Sequence, residues 1–208
     1  MSQRFGLFRW DESLAALPGF PEHLRAHWNL TPKKQILIIR QAADQVIAER
    51  AYWGFTPSWM QDLSRASAHA RSETVASQPL FKQAFAKQRC VIPANGFFEW
   101  RGKGKQSKPF WLQQQAAELM YFAGVYTIFQ VQEVSYPSVA MLTQAAAYLR
   151  RPVMLTEQQA REWIDPQADL AALQAMLQLP PSITLFERRV TPLVTDPEYD
   201  GIRCLAEA

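Results

Sequence analysis

Short apolar runs, more than helical periodicity, organise this chain. Gln35-Ile36-Leu37-Ile38-Ile39-Arg40 reads as a buried strand, and residues 45–55 continue as strand into Trp53-Gly54-Phe55. Residues 5–9 predict a first strand, and residues 90–100, 109–113, 119–129 and 138–143 predict others. The segment 101–108 is polar and glycine-bearing, as a hairpin tip should be. Residues 183–194 carry late strand material. Helices are fewer. Pro21 opens a short one ending near Trp28, and another spans 79–87. Thr156 begins a third, because Thr156-Glu157-Gln158-Gln159 supplies an N-cap with Gln three residues on. Residues 169–178 form a fourth, ended by Pro180-Pro181. Pro57-Ser58-Trp59 turns the chain, residues 68–73 read as irregular, and the last residues as loose. The expected fold is α+β: a single domain over 1–208, with an antiparallel sheet curled into a partial barrel and peripheral helices.

Composition narrows the picture only in part. At 208 residues the length suits one domain with a real core. Seven Trp, twelve Phe and six Tyr are enough either to build that core or to supply stacking platforms for bases. A net charge of +3 permits nucleic-acid binding without arguing for it. Cys90 and Cys204 lie far apart and form no metal set with His23, His27 and His69, so reduced thiols and no metal are expected. Cys90 starts a buried strand and reads as a packing residue. No apolar run reaches membrane-spanning length, and Met1-Ser2-Gln3-Arg4-Phe5-Gly6 lacks a signal-peptide pattern, so a cytoplasmic monomer free of membrane is expected.

Cys90-Val91-Ile92-Pro93-Ala94-Asn95-Gly96-Phe97-Phe98-Glu99-Trp100 is the most informative stretch. It sets one carboxylate, Glu99, among apolar and aromatic residues just after a turn at Ala94-Asn95-Gly96. Desolvation in such a setting raises a carboxylate pKa, which suits proton transfer near neutral pH. The alternative is a strand-end Glu paired with a nearby Arg, and both readings stand at this point.

The ordered series Arg4-Phe5, Trp53-Gly54-Phe55-Thr56-Pro57-Ser58-Trp59, Ala70-Arg71-Ser72-Glu73-Thr74, the 90–100 stretch, Ala123-Gly124-Val125-Tyr126, Leu142-Thr143, Arg150-Arg151-Pro152-Val153-Met154-Leu155 and Val190-Thr191-Pro192-Leu193-Val194 resembles the SOS-response-associated peptidase (SRAP) family, which includes abasic-site shielding proteins. The resemblance implies single-stranded DNA with abasic sites as partner and no cofactor. It also implies an N-terminal cysteine whose α-amine forms an imine with the abasic-site aldehyde and whose thiol closes a thiazolidine. A strand-end Glu acts as acid/base, assisted by an Asn and a His. Glu99 matches that Glu. Arg4 and Arg71 look like the family's phosphate-binding arginines, with an ion pair to Glu99 or Glu73 as the alternative for Arg71; Trp53 and Trp59 look like an aromatic wedge, Trp53 equally like core; and Arg150 and Arg151 look like further cleft cations. Lys103, Lys105 and Lys108 on the hairpin tip read as solvated lysines or nonspecific phosphate attractors.

This chain departs from the pattern at coupled positions. Ser2 stands in place of the Cys, Gln3 replaces a Gly, His69 stands where the family has its Asn, and Tyr148 lies near the expected His. A neutral alcohol is a far weaker nucleophile than a thiol, so the durable crosslink is expected to fail while a Schiff base through the α-amine survives. The α-amine's ordinary pKa of roughly 7.7–8.0 leaves a useful neutral fraction. The alternatives are a catalytically silent DNA- or partner-binding module, and an N-terminal serine autoprocessing peptidase. His69 reads either as a polar assistant to the amine or as a structural His.

Overall fold

A computed structural model describes residues 4–60, 62–115, 118–131, 134–146, 149–180 and 182–208. Met1, Ser2, Gln3 and Tyr148 therefore lie outside the described residues. The strands are β1 (Phe5–Leu7), β2 (His27–Leu30), β3 (Gln35–Ala42), β4 (Gln45–Trp53), β5 (His69–Arg71), β6 (Arg89–Ala94), β7 (Gly96–Arg101), β8 (Lys108–Gln114), β9 (Met120–Val131), β10 (Val134–Ala145), β11 (Arg150–Pro152), β12 (Met154–Leu155) and β13 (Leu185–Arg189). The helices are α1 (Glu12–Ala15), α2 (Lys82–Lys87), α3 (Glu157–Ile164) and α4 (Leu170–Met176).

The strands make two sheets. In the first, β10, β4, β3, β6 and β9 pair in turn, and β9 pairs back to β10, closing a five-stranded barrel. The second runs β13-β8-β7-β1-β2. The chain passes from one sheet to the other at Asn95, between β6 in the barrel and β7 in the second sheet, so the expected turn is a change of sheet. Asn95 is buried there and holds the departing β1 chain. Its Oδ1 accepts from the amides of Phe8 (2.8 Å) and Arg9 (3.0 Å), and its Nδ2 donates to the Arg9 carbonyl (2.9 Å). Gly96 is required at this crossing for space: a Cβ would sit 2.4 Å from the Leu112 carbonyl oxygen and 2.4 Å from the Trp111 ring.

Barrel closure removes sheet edges and buries side chains on the inside. Both faces of its walls are covered: Ile36, Leu37, Ile38, Ile92, Phe122, Val125 and Leu142 are all buried in one hydrophobic core, each worth roughly 1.5–3 kcal/mol of apolar burial. Helix α3 packs against β6, β9 and β12. Thr156 Oγ1 accepts from the Gln159 amide and the Gln159 side chain accepts from the Thr156 amide, the reciprocal cap that the sequence predicts. The Trp163 indole N–H then reaches the carbonyls of Cys90 (3.0 Å) and Gly124 (3.1 Å). Cys90 is fully buried among packing residues, as expected, and burial pushes its thiol pKa up.

Several local expectations are corrected. The helix expected over 21–28 is instead turn and strand, because β2 pairs with β1 (Phe5↔Leu30) and that ladder outweighs local propensity. Residues 69–71 form β5, and β5 and β4 both run parallel to β10, so the pairing is not wholly antiparallel. The late strand stops at Arg189 and gives way to a 3-10 turn over Pro192–Thr195. The tail is not loose: Ile202–Leu205 is a 3-10 turn, Cys204 is buried, and Val190 bridges Glu207.

Candidate active-site cleft

Strand β10 outruns the barrel. Past its pairing with β4 at Val139, one edge takes β5 (Met141↔His69, Thr143↔Arg71). The other edge, past β9, takes β11 (Thr143↔Pro152, Ala145↔Arg150). His69, Arg71, Arg150 and Arg151 are thereby gathered around the protruding end of β10. Strand β7 carries Glu99 to the same place from the second sheet, and an open cleft of about 490 Å³ lies between them. Glu99, Trp100, Arg101, Leu149 and Arg151 line it.

Glu99 is buried, with its side chain 2% exposed, yet its surroundings are charged. Arg151 Nε donates to Glu99 Oε1 at 2.5 Å and its terminal nitrogen to Oε2 at 3.1 Å, a bidentate pair. Arg101 adds a bond to Oε2 at 3.3 Å. Of the two readings left open by the sequence, the structure shows the arginine-paired carboxylate. A carboxylate has about four acceptor positions. Among the described residues, the three guanidinium bonds leave one, on Oε1.

Arg101 is shared. It also meets Glu187 of β13 at 2.5 and 2.7 Å, and its guanidinium lies 4.5 Å from the Phe110 ring centroid. The hydrogen bonds that Arg101 donates to Glu187, and then to Glu99, hold its pKa above the ordinary value against burial, and Arg101 in turn holds the Glu187 carboxyl low.

Period-two alternation of a strand explains why neighbouring arginines differ. Arg151 faces Glu99, whereas Arg150 points the other way. Arg150 bonds the Thr143 hydroxyl (3.0 Å), the Thr143 carbonyl (2.5 Å) and Glu73 (2.6 Å), and this pairing lowers the Glu73 pKa. Sequence reasoning took Arg150 and Arg151 together as cleft cations ahead of Pro152. The residue that touches Glu99 is Arg151, and the signal that finds it is the alternation within β11.

The remaining candidates separate clearly. Trp53 is fully buried, its indole N–H on the Ala68 carbonyl at 2.8 Å and its ring against Phe5 and His69. It has no free face for a base, so the wedge reading fails for Trp53. Trp59 is 69% exposed beside Leu80 and keeps a stacking face. Arg71 is exposed and forms no ion pair with a described residue, so the Glu99 and Glu73 pairings considered from sequence are absent. His69 is half-buried on β5, edge-on to Trp53. Arg4 is half-buried: it donates to the Val194 carbonyl and to the Thr195 carbonyl (2.9 Å), and stacks 5.3 Å from the Trp100 ring centroid. Burial lowers its pKa, with Asp196 and then Cys204 opposing. Lys103 and Lys108 are exposed on the hairpin, and the Lys105 side chain and Ser2 and Tyr148 are outside the described residues.

Backbone pairing sets the N-terminal chain next to this carboxylate. The Phe98 amide donates to the Arg4 carbonyl at 3.0 Å, one residue before Glu99. A family model for the SOS response associated peptidase (SRAP) matches residues 1–197. The chain belongs to the SRAP family. It is 28% identical over 185 residues to the abasic site processing protein YoqW of Bacillus subtilis, covering 84% of this chain and 83% of YoqW. It is 25% identical to the abasic site processing protein YedK of Escherichia coli (71% and 68% covered) and 23% identical to HMCES of Gallus gallus (85% and 62%). Solved structures of proteins from Bacteroides thetaiotaomicron (TM-score 0.78, 18% identity, 89% and 87% covered) and Bordetella bronchiseptica (TM-score 0.75, 21% identity, 91% and 99% covered) share the fold. Among the described residues no group of His, Cys, Asp and Glu is arranged to hold a metal, and no helix is long and apolar enough to cross a membrane.

Proposed function

We propose that this SRAP chain binds single-stranded DNA at abasic sites and forms a Schiff base with the sugar aldehyde through the α-amine of Ser2, freed by removal of Met1. The observation that carries the reading is the open acceptor position on buried Glu99, in a cleft lined by cations and adjoining the N-terminal strand. The amine adds to the aldehyde carbon. The carbinolamine then loses its oxygen as water, with Glu99 relaying protons to and from the remaining lone pair. Overall, an ammonium and an aldehyde give an iminium and one water, two ammonium protons leaving with the oxygen. Arg71, Arg151 and Arg101 offer guanidinium groups to backbone phosphates, and Trp59 offers a face to an unstacked base. Ser2 supplies a hydroxyl in place of a thiol, so the adduct stays reversible.

Intact-mass analysis after borohydride reduction with abasic single-stranded DNA tests this. The expected product carries the oligonucleotide on the N-terminal residue. A protein that binds the DNA yet yields no reducible adduct is a silent binding module, a reading that the arginine-paired state of Glu99 equally suits. Without borohydride, an adduct that survives denaturation would overturn the reversible assignment.

A further inference from the structure

The cleft contains a closed charge balance that foreign ions must disturb. Glu99, Glu187, Arg101 and Arg151 carry two negative and two positive charges in direct contact. Arg101 is anchored from both sides, whereas Arg151 forms an ion pair with Glu99 alone among the described acidic groups and acts on Glu187 only at longer range. Arg151 is also 28% exposed to the cleft, while its partner is closed off. Arginine binds phosphate through the same planar fork it offers a carboxylate.

We infer that Arg151 is an exchangeable clamp: substrate phosphate takes it from Glu99, and the iminium formed on the abasic sugar takes its place on the carboxylate. The inference rests on the imine chemistry proposed above and assigns Arg151 a positioning role within it. A phosphate entering alone would leave the four-residue cluster with one excess negative charge beside a buried carboxylate, which is costly. The amine that attacks is neutral and the iminium it becomes carries one positive charge, so phosphate and iminium together restore neutrality. One ion pair, Arg151–Glu99, is exchanged for two, Arg151–phosphate and iminium–Glu99. An aldehyde without a phosphate cannot trigger the exchange, so its iminium gains no ion pair with Glu99 and free sugars are trapped more slowly than abasic DNA.

Borohydride trapping with an abasic single-stranded oligonucleotide and with phosphate-free 2-deoxyribose, on the full chain and on Arg151→Gln, tests the clamp. The native protein should trap the oligonucleotide well and deoxyribose poorly. Arg151→Gln should trap deoxyribose several-fold faster, bind the oligonucleotide roughly tenfold more weakly, and show a salt slope smaller by about one unit. Arg151→Lys, which keeps the charge but loses the fork, should restore oligonucleotide affinity in part and hold deoxyribose trapping low. If Arg151→Gln slows both substrates with DNA affinity unchanged, or alters neither, the clamp is wrong even though the chemistry stands. Should the glutamine variant not fold, the lysine variant decides instead: deoxyribose trapping faster than native with no change in salt slope refutes the clamp. An absence of trapping with the native protein would sink the proposed chemistry itself and the clamp with it.

Discussion

Two buried charged residues, Arg89 and Glu99, teach opposite lessons. Arg89, 4% exposed at the start of β6, satisfies its guanidinium entirely with backbone carbonyls: Phe85 and Ala86 from α2 (2.9 and 2.7 Å), Trp163 from α3 (2.7 Å), and Asp165 (2.5 Å). Those are the orphan carbonyls and negative dipole ends at the termini of two helices, so one cation caps both. Burial lowers the Arg89 pKa and the Asp165 charge opposes this. No acceptor in that set can leave without unwinding a helix. Glu99 is held instead by side chains that reach it from two different strands and border an open cleft. Charge tied to backbone is fixed with the fold, whereas charge tied to side chains beside an open cleft can change partners without moving the backbone.

The contrast can be attacked at each end. The largest effect is expected for Arg89→Met, which strands the helix-end carbonyls in an apolar setting and should destabilise the fold by about 3–5 kcal/mol in denaturant titration. A loss under about 1 kcal/mol would show that the caps are dispensable. Next, Glu99→Gln keeps the shape and removes the charge. Adduct formation with abasic DNA should fall about 100-fold or more, with the denaturation midpoint moved far less than by Arg89→Met. Equal damage to stability and rate would erase the distinction between the two sites.

Smaller effects refine it. Glu187→Gln loosens the outer hold on Arg101 at an exposed pair, so stability should change by less than about 1 kcal/mol. Adduct formation should change by only a few-fold, because Arg101 retains Glu99. Asp200 gives a mixed case, accepting from the His27 ring (2.6 Å) and from the amides of Trp28 (2.6 Å) and Asn29 (2.9 Å), which ties the tail to β2. Burial acts to raise its pKa, but the hydrogen bonds from His27, Trp28 and Asn29 outweigh it, and the folded value lies below the ordinary one. Its contribution is therefore present above about pH 4 and lost as pH falls through the lower, folded value. Asp200→Asn should be less stable at about pH 7 and lose less stability than the native chain on acidification below about pH 4, read from denaturation midpoints across that range.

Local sequence was informative where the deciding contacts are local. The Thr156–Gln159 capping box, the β3 and β4 strands and the Cys90–Trp100 stretch were all readable, because periodicity and caps act over a few residues. The helix expected at Pro21–Trp28 failed because a strand pairing with β1 decides that segment. Trp53 and Trp59, similar in sequence setting, parted once packing put one in the core and left the other outside.

What the amino-acid order determined on its own is a strand-rich α+β domain of SRAP type with one carboxylate set at the end of a hydrophobic strand. What only the tertiary structure decided is that carboxylate's company. Arg151 lies 52 residues from Glu99 along the chain, and no periodicity spans that distance. Barrel closure carries β10 and β11 past the rim, the change of sheet at Asn95 brings β7 back beside them, and the pleat of β11 selects Arg151 over Arg150. The physical reason is that a long-range ion pair depends on how two sheets are placed, which is settled by burial across the whole core and by no single segment.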